Sequence, residues 1–148
     1  MTATAIILSV LALVLSAASL SWQAWSWSRS GPVLRVDVTN AITDGETAGV
    51  PDHYVCVEVV NYGRAAATVG SWGIEMPDKT NLVVLAPHHL SERLPARVES
   101  HASARFVVLA EHLRRRHAET GDPFEKMRPW VSTSAGKRVY SRKSVPLA

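Results

Sequence analysis

The sequence has a single cysteine, Cys56, among its 148 residues. One thiol cannot close an intramolecular disulfide, so a disulfide-stapled scaffold is excluded. None of the three asparagines begins an Asn-x-Ser/Thr site, so one possible mark of export is missing. Cys56 lies among valines without a basic neighbour in sequence, and we expect a buried thiol there rather than a nucleophile.

Motifs for catalysis and cofactor binding are missing as well. Gly70-Ser71-Trp72-Gly73 lacks the one-residue spacing of a nucleophile elbow. Gly136 precedes Lys137 without the glycine-rich loop of a phosphate-binding site. The sequence therefore predicts no catalytic residue and no cofactor.

The six histidines lack the spacing of a metal site. His88 and His89 are adjacent, and on a strand they would point to opposite faces. His112 and His117 are five residues apart and miss the i, i+4 face that a helical metal site uses. We expect solvated or packing histidines and no bound metal.

Charge is missing from residues 1–28, whereas all 16 Lys and Arg and all 13 Asp and Glu residues follow them. The apolar stretch Ala5–Trp22 would rise about 27 Å as a helix, close to the thickness of a hydrocarbon core. The sequence thus predicts a transmembrane anchor over residues 1–28 and one further domain over residues 29–148. A cleaved signal peptide is the alternative, but the stretch has no basic n-region.

Aromatic residues and the first charge mark the end of the predicted span. Trp22, Trp25 and Trp27 fall at the depth that indole rings prefer, and Arg29 follows in the headgroup region. Lys and Arg residues next to a membrane span are enriched on its cytoplasmic side. Arg29 and Arg35 therefore favour a cytoplasmic C-terminal domain, with an exported domain as the alternative.

A stripe of small or hydroxylated residues runs along the predicted span at steps of three and four. Small residues let membrane helices approach closely, and Ser or Gln can hydrogen-bond across the contact. We therefore predict a seam for a second copy or a partner helix at Ser9, Ser16, Ser19 and Gln23. In the alternative, the serine hydroxyls simply bond back to carbonyls of their own helix.

Beyond Pro32 the periodicity is that of strands. Six or seven short strands with little helix predict a mainly β fold, a β-sandwich. The predicted strands and the final hairpin are residues 33–39, 53–61, 68–76, 82–86, 104–109 and 128–143, with the hairpin turn at Ala135-Gly136. The predicted core is Val36, Val55, Val57, Val59, Trp72, Ile74, Val83, Leu85, Phe106 and Val131. A short helix is predicted within Leu109–Pro123, ended by Gly121, with Leu109 and Leu113 on its apolar face.

Two segments carry a resemblance. VEVVNYGRAAATV, Val57–Val69, and LPARVESHASARFVV, Leu94–Val108, resemble immunoglobulin-like domains of bacterial surface proteins, the cell-adhesion-related type among them. The chain departs from them at His101 and in the predicted helix. The resemblance implies an immunoglobulin-like β-sandwich that binds or spaces other domains without catalysis. Such domains are mostly extracellular, in contrast to the orientation that the arginines favour.

Basic residues without acids dominate the end of the chain, beyond Glu125. Arg114–Arg116 form a second basic cluster. If the fold brings the two groups together, they make a patch for an anionic partner, with an ordinary solvated surface as the alternative. The patch residues are Arg114, Arg115, Arg116, Lys137 and Arg138. Nucleic acid is not expected as the partner, because neither a recognition helix nor aromatics interleaved with the basic residues can be seen.

The sequence as a whole predicts a single-pass membrane protein acting as a non-catalytic binding or scaffolding module. Its expected partners are the lipid bilayer and an unidentified protein. An outward-facing domain that binds an extracellular ligand or cell-wall component is the first alternative. A hydrolase whose residues converge only in the fold is the second, and a deep pocket holding several polar groups would favour it.

Overall fold

The computed structural model describes residues 2–28, 30–43, 52–84 and 88–147. The chain divides into two compact units, residues 1–31 and residues 32–148. Arg29 and Leu85, which the sequence singled out for the membrane interface and the core, lie outside the described residues.

The first unit contains one helix, α1 (Thr2–Ser28). No glycine or proline interrupts it, and Gly31 and Pro32 follow soon after its end. Its large apolar side chains are exposed around the whole helix, Leu13 by 72% and Leu15 by 67%. From Ala3 to Trp27 it is long and apolar enough to cross a membrane.

The second unit is mainly β. Its elements are β1 (Leu34–Thr43), β2 (Asp52–Asn61), β3 (Ala67–Glu75), β4 (Asn81–Leu82), β5 (Ala96–Val98), β6 (Ser103–Leu109), α2 (Ala110–Thr120), a 3₁₀ turn (Phe124–Lys126), β7 (Arg128–Thr133) and β8 (Arg138–Tyr140). The first sheet has the order β1-β2-β6, and the second has the order β4-β3-β7-β8. β5 also pairs with β3, and every pairing is antiparallel.

The apolar faces of the two sheets enclose one core. The period-2 alternation of the strands turns every second residue of β1 and β2 inward, and the valines at these positions meet the inner face of the second sheet. Eight predicted core residues are buried: Val36, Val55, Val57, Val59, Trp72, Ile74, Phe106 and Val131.

Val83 is a wrong prediction, because its side chain is 44% exposed. The expected strand over residues 82–86 pairs with β3 only at Asn81 and Leu82. Leu82 lies opposite Ile74, whose side chain is in the core, so Leu82 points inward and its neighbour Val83 points out. Val84 packs against the core instead.

The predicted helix is present as α2. Its first residue, Ala110, and Leu113 are fully buried. It ends where the sequence predicted, since Gly121 adopts a left-handed conformation with φ of 72° and its N–H bonds to the His117 carbonyl at 2.8 Å. Leu109 is the last residue of β6 rather than part of the helix.

Asn61 is a buried polar residue that ties three segments together. Its Oδ1 accepts hydrogen bonds from the N–H groups of Val33 at 3.2 Å and Gly63 at 2.9 Å. Its Nδ2 donates to the carbonyls of Ala65 at 2.7 Å and Val98 at 3.1 Å. The Asn-x-Gly turn between β2 and β3 is therefore fixed to the start of β1 and to β5.

Candidate binding groove

The serines of the predicted seam bond within their own helix. Ser9 Oγ donates to the Ile6 carbonyl at 2.9 Å, and Ser16 Oγ donates to the Ala12 carbonyl at 2.8 Å. The alternative to a seam expects these bonds. The serine side chains are still small, so they leave room for a neighbouring helix to approach closely. Ser19 and Gln23 are exposed on the same helix, and the seam stays a prediction.

The tryptophans of the predicted interface belt are exposed on α1, by 66% for Trp22, 47% for Trp25 and 84% for Trp27. The rings of Trp22 and Trp25 lie with their centroids 5.2 Å apart. Large indole surface that no described part of this unit covers is suited to the interface of a bilayer.

Cys56 is half-buried rather than buried. Its neighbours on β2, Val55 and Val57, occupy the core, so the thiol lies on the outer face of the first sheet. Partial burial raises the pKa of the Cys56 thiol, and the nearby Arg105 guanidinium opposes that shift. A raised pKa keeps the thiol protonated and unreactive near neutral pH.

The expectation that His88 and His89 point apart is wrong, because their ring centroids are 4.1 Å apart. These residues lie after the short strand β4 and outside any described strand, so strand alternation does not apply to them. His88 also contacts the Tyr54 hydroxyl at 3.2 Å. Among the described residues, no group of three or more His, Cys, Asp or Glu side chains could hold a metal ion.

The structure divides the predicted basic patch. Arg116 on α2 forms ion pairs with Asp78 at 3.3 Å and Asp122 at 3.9 Å, beyond the Glu75 end of β3. Arg114 and Arg115 are exposed on the same helix. Arg138 instead begins β8 and Lys137 directly precedes it, next to the Val69 end of β3. The length of β3, about 20 Å between Val69 and Glu75, separates the two groups.

A groove lies beside Lys137 and Arg138. It has a volume of about 730 Å³ and is lined by residues 32–34, 66–68, 133–135 and 137–140. A smaller cavity of about 320 Å³ shares Val33, Leu34, Val139 and Tyr140 with it and adds Arg35, Val36, Tyr62 and Arg142. We refer to the two together as the β1–β8 groove.

The floor of the β1–β8 groove is apolar. Leu34 of β1 and Val139 of β8 are partly buried and pack against the core between the sheets. The groove therefore opens where the edge of the first sheet, β1, faces the edge of the second, β8. At the other end of β1 the gap is covered, because Asn40 Nδ2 donates a hydrogen bond to the Pro146 carbonyl and Val145 is buried.

The backbone of β8 presents hydrogen-bonding groups to this groove. Thr133 N–H donates to the Lys137 carbonyl at 2.9 Å, and Ser141 N–H donates to the Pro129 carbonyl at 2.8 Å. Because an antiparallel ladder alternates, the N–H and C=O groups of Arg138 and Tyr140 point away from β7. Along that edge, no strand among the described residues pairs with β8.

The side chains of Arg138 and Tyr140 are held on the outer face of the second sheet. The Arg138 guanidinium lies 4.0 Å from the centre of the Trp130 ring. Tyr140 Oη donates to Glu75 at 2.9 Å, and Glu75 pairs with Lys79 at 3.1 Å. These contacts fix the orientation of β8 and so of its free edge.

Charge around the groove has one sign. The charged residues in its lining are Arg35, Lys137, Arg138 and Arg142. Among the described residues that line it, none is Asp, Glu, His or Cys. The excess of basic residues beyond Glu125 was the sequence feature that indicated this site. Nothing in the sequence indicated that Arg35 and the edge of β1 would form its other side.

Comparison with known proteins adds little to this description. No family model and no curated protein matches the chain. Among solved structures it is similar, at a TM-score of 0.33 and 10% identity, to one described as "X-ray structure of Northeast Structural Genomics Consortium target SoR45", over 73% of this chain and 80% of that chain. This likeness is too distant to carry an argument about function.

Proposed function

We propose that the protein is a single-pass membrane protein whose domain is a non-catalytic binding module with an immunoglobulin-like fold. The observation that carries the proposal is the β1–β8 groove, an apolar cleft with a basic rim. Only residues 29–31 separate α1 from Pro32, the first residue of the groove lining. If α1 anchors the protein in a membrane, an occupant of the groove would thus be held close to that membrane.

Strand order supports the immunoglobulin-like part of the proposal. The sheet orders β1-β2-β6 and β4-β3-β7-β8 correspond to A-B-E and C′-C-F-G of such domains, whereas β5, at the position of strand D, pairs with β3 instead of β6. Trp72 lies on the strand at the C position and is buried, as the tryptophan of those domains is. The helix α2 then occupies the connection between strands E and F.

The chemistry of the lining supports binding over catalysis. Hydrolysis needs a nucleophile or metal together with a general base placed within hydrogen-bond reach of it. The described lining offers Ser, Thr and Tyr hydroxyls beside Lys and Arg, without the carboxylate or imidazole that most often acts as the base. Cations over an apolar floor are instead suited to holding an anionic partner.

The orientation proposed for the domain is cytoplasmic. Arg29 and Arg35 follow the apolar helix, which has no charged side chain of its own. Positive charge near the end of a span favours the cytoplasmic side.

Fractionation and labelling of the full chain test the proposal. The protein should pellet with membranes, resist carbonate extraction and keep its N-terminus, because α1 is too apolar to remain in water. The small residues Ser16-Ala17-Ala18 are where a signal peptide would be cleaved. A soluble protein, or a mature chain beginning at Ser19, would therefore contradict the anchor.

Orientation is tested by cysteine labelling in a Cys56→Ser background. Arg115 is exposed on α2, so Arg115→Cys supplies an accessible thiol. A membrane-impermeant maleimide should label it only after cell lysis. Labelling on intact cells would select the outward-facing alternative.

A further inference from the structure

We infer that the β1–β8 groove binds an extended acidic peptide segment of a partner protein, which adds as a strand to the free edge of β8. This inference rests on the proposed binding function and names the chemistry of the partner. It is carried by three features that coincide at one place: an unpaired strand edge, an apolar floor beside it and a rim with one sign of charge.

The strand edge determines the form of the partner. The N–H and C=O groups of Arg138 and Tyr140 face the groove, and an added strand would satisfy them with its own backbone. Leu34 N–H and C=O lie on the free edge of β1, because the neighbouring residue Val33 is the one whose carbonyl bonds to Tyr62. A lipid headgroup or acyl chain offers no comparable row of donors and acceptors.

The floor determines how the partner's side chains are placed. Successive side chains of an added strand point to opposite faces. One set would therefore lie over Leu34 and Val139 at the entrance to the core, and the other set would face solvent. The partner segment is expected to alternate apolar and polar residues.

The rim determines the charge of the partner. Arg35, Lys137, Arg138 and Arg142 line the groove, and its described lining has no acid. Glu75, which reaches Tyr140 from the outer face, is already paired with Lys79. Glutamates on the partner would meet the positive charges of Arg35, Lys137 and Arg142, which steer association and lower the affinity for basic segments.

The test measures peptide binding to the full chain in detergent by fluorescence anisotropy. The probe is a fluorescein-labelled peptide of about eight residues that alternates Glu with Val or Thr, the length of an ordinary strand. A second peptide replaces each Glu by Lys. A third keeps the Glu side chains but carries N-methyl groups on alternate amides, which removes the donors that strand addition needs.

Two charge-reversal variants make the test specific. Lys137→Glu with Arg142→Glu reverses two exposed rim charges and leaves the stacked Arg138 in place. Arg114→Glu with Arg115→Glu makes the same change in net charge on α2, away from the groove. Circular dichroism of both variants verifies that the fold is retained.

The acidic peptide should bind, and the rim variant should weaken its binding at least about tenfold while the α2 variant does not. Absence of binding by the acidic peptide, or equal loss in both variants, would overturn the inference. Equal binding of the N-methylated peptide would overturn strand addition.

Vesicles of phosphatidylcholine with and without phosphatidylserine are the last arm. Binding to the anionic vesicles that is lost in the rim variant, without peptide binding, would assign the groove to a membrane surface and overturn the inference. Carbonate extraction is independent of these measurements, so failure of the anchor and failure of the peptide site are distinguishable.

Discussion

Trp72 on β3 stacks on Phe106 on β6, with ring centroids 5.6 Å apart and ring planes inclined by 26°. The contact joins the inner faces of the two sheets, and both residues are almost completely buried. Aromatic pairs of this kind add to the stability that burial of their area already provides. The pair is therefore the centre of the packing between the sheets.

Trp72→Ala should lower the free energy of unfolding of the domain by about 3 to 5 kcal/mol, because it removes the ring and leaves a cavity at Phe106. Urea unfolding of residues 32–148 gives the value. Trp72→Phe, which keeps an aromatic ring there, should cost less. A loss below about 1 kcal/mol for the alanine variant would contradict this packing.

Asn61→Ala should cost about 3 kcal/mol, because four backbone groups, two in buried and two in part-buried hydrogen bonds, lose the partners that the Asn61 side chain supplies. Asn81→Ala is the matched control, since Asn81 is exposed on the edge strand β4. The same urea experiment measures both. Equal small effects would show that water replaces the Asn61 side chain.

Gly73→Ala should destabilise the domain by about 1 to 3 kcal/mol. A Cβ at Gly73 would lie 2.7 Å from the Leu82 carbonyl oxygen and 3.0 Å from Trp130 Cζ2. In Gly70→Ala, on the same strand, the Cβ would lie 3.5 Å from Ser134 Oγ, an ordinary contact. Thermal melting should separate the two variants, and identical melting temperatures would count against the close approach of Trp130 to β3.

Lowering the pH should reduce the stability of the domain, in part because Glu75 becomes protonated. Hydrogen bonds from Lys79 and then Tyr140 hold the pKa of Glu75 below its ordinary value. Because the folded state binds this proton less readily than the unfolded state, the contribution is present above about pH 4.3, the ordinary value of Glu, and is lost as the pH falls through the lowered pKa.

Glu75→Gln should therefore reduce the loss of stability between about pH 5 and pH 3, as measured by urea unfolding at each pH. Glu119→Gln, at an exposed position of α2, is the control and should leave that loss unchanged. Equal pH dependence in the wild type and in Glu75→Gln would refute the assignment.

The seam on α1 is tested by placing leucine at seam positions and at control positions of the same helix, so that hydrophobicity alone cannot explain a difference. If the stripe contacts another helix, Ser16→Leu with Ser19→Leu should weaken association of residues 1–30 in a membrane reporter, because leucine fills the space that close approach needs. Val10→Leu with Val14→Leu should have no effect. Equal signals from the two pairs, or no association of the wild type, would exclude self-pairing through the seam.

Local patterns determined much of this protein. The charge-free run predicted α1, because the length and the apolar composition of one segment are enough to indicate a helix that can span a membrane. Alternation predicted which faces of β1, β2, β3 and β6 are buried, because period 2 is intrinsic to a strand. Gly121 predicted the end of α2 for an equally local reason, its freedom to adopt positive φ.

Only the tertiary structure decided how these segments combine. Val83 turned outward because pairing places Leu82 opposite the core residue Ile74, a register that depends on β3 and not on the sequence around Val83. The arginines of α2 were separated from Lys137 and Arg138 by the length of β3. Arg35 and Lys137 came to share a groove although about a hundred residues lie between them in the chain, because sheet edges are brought together by long-range pairing that no local pattern records.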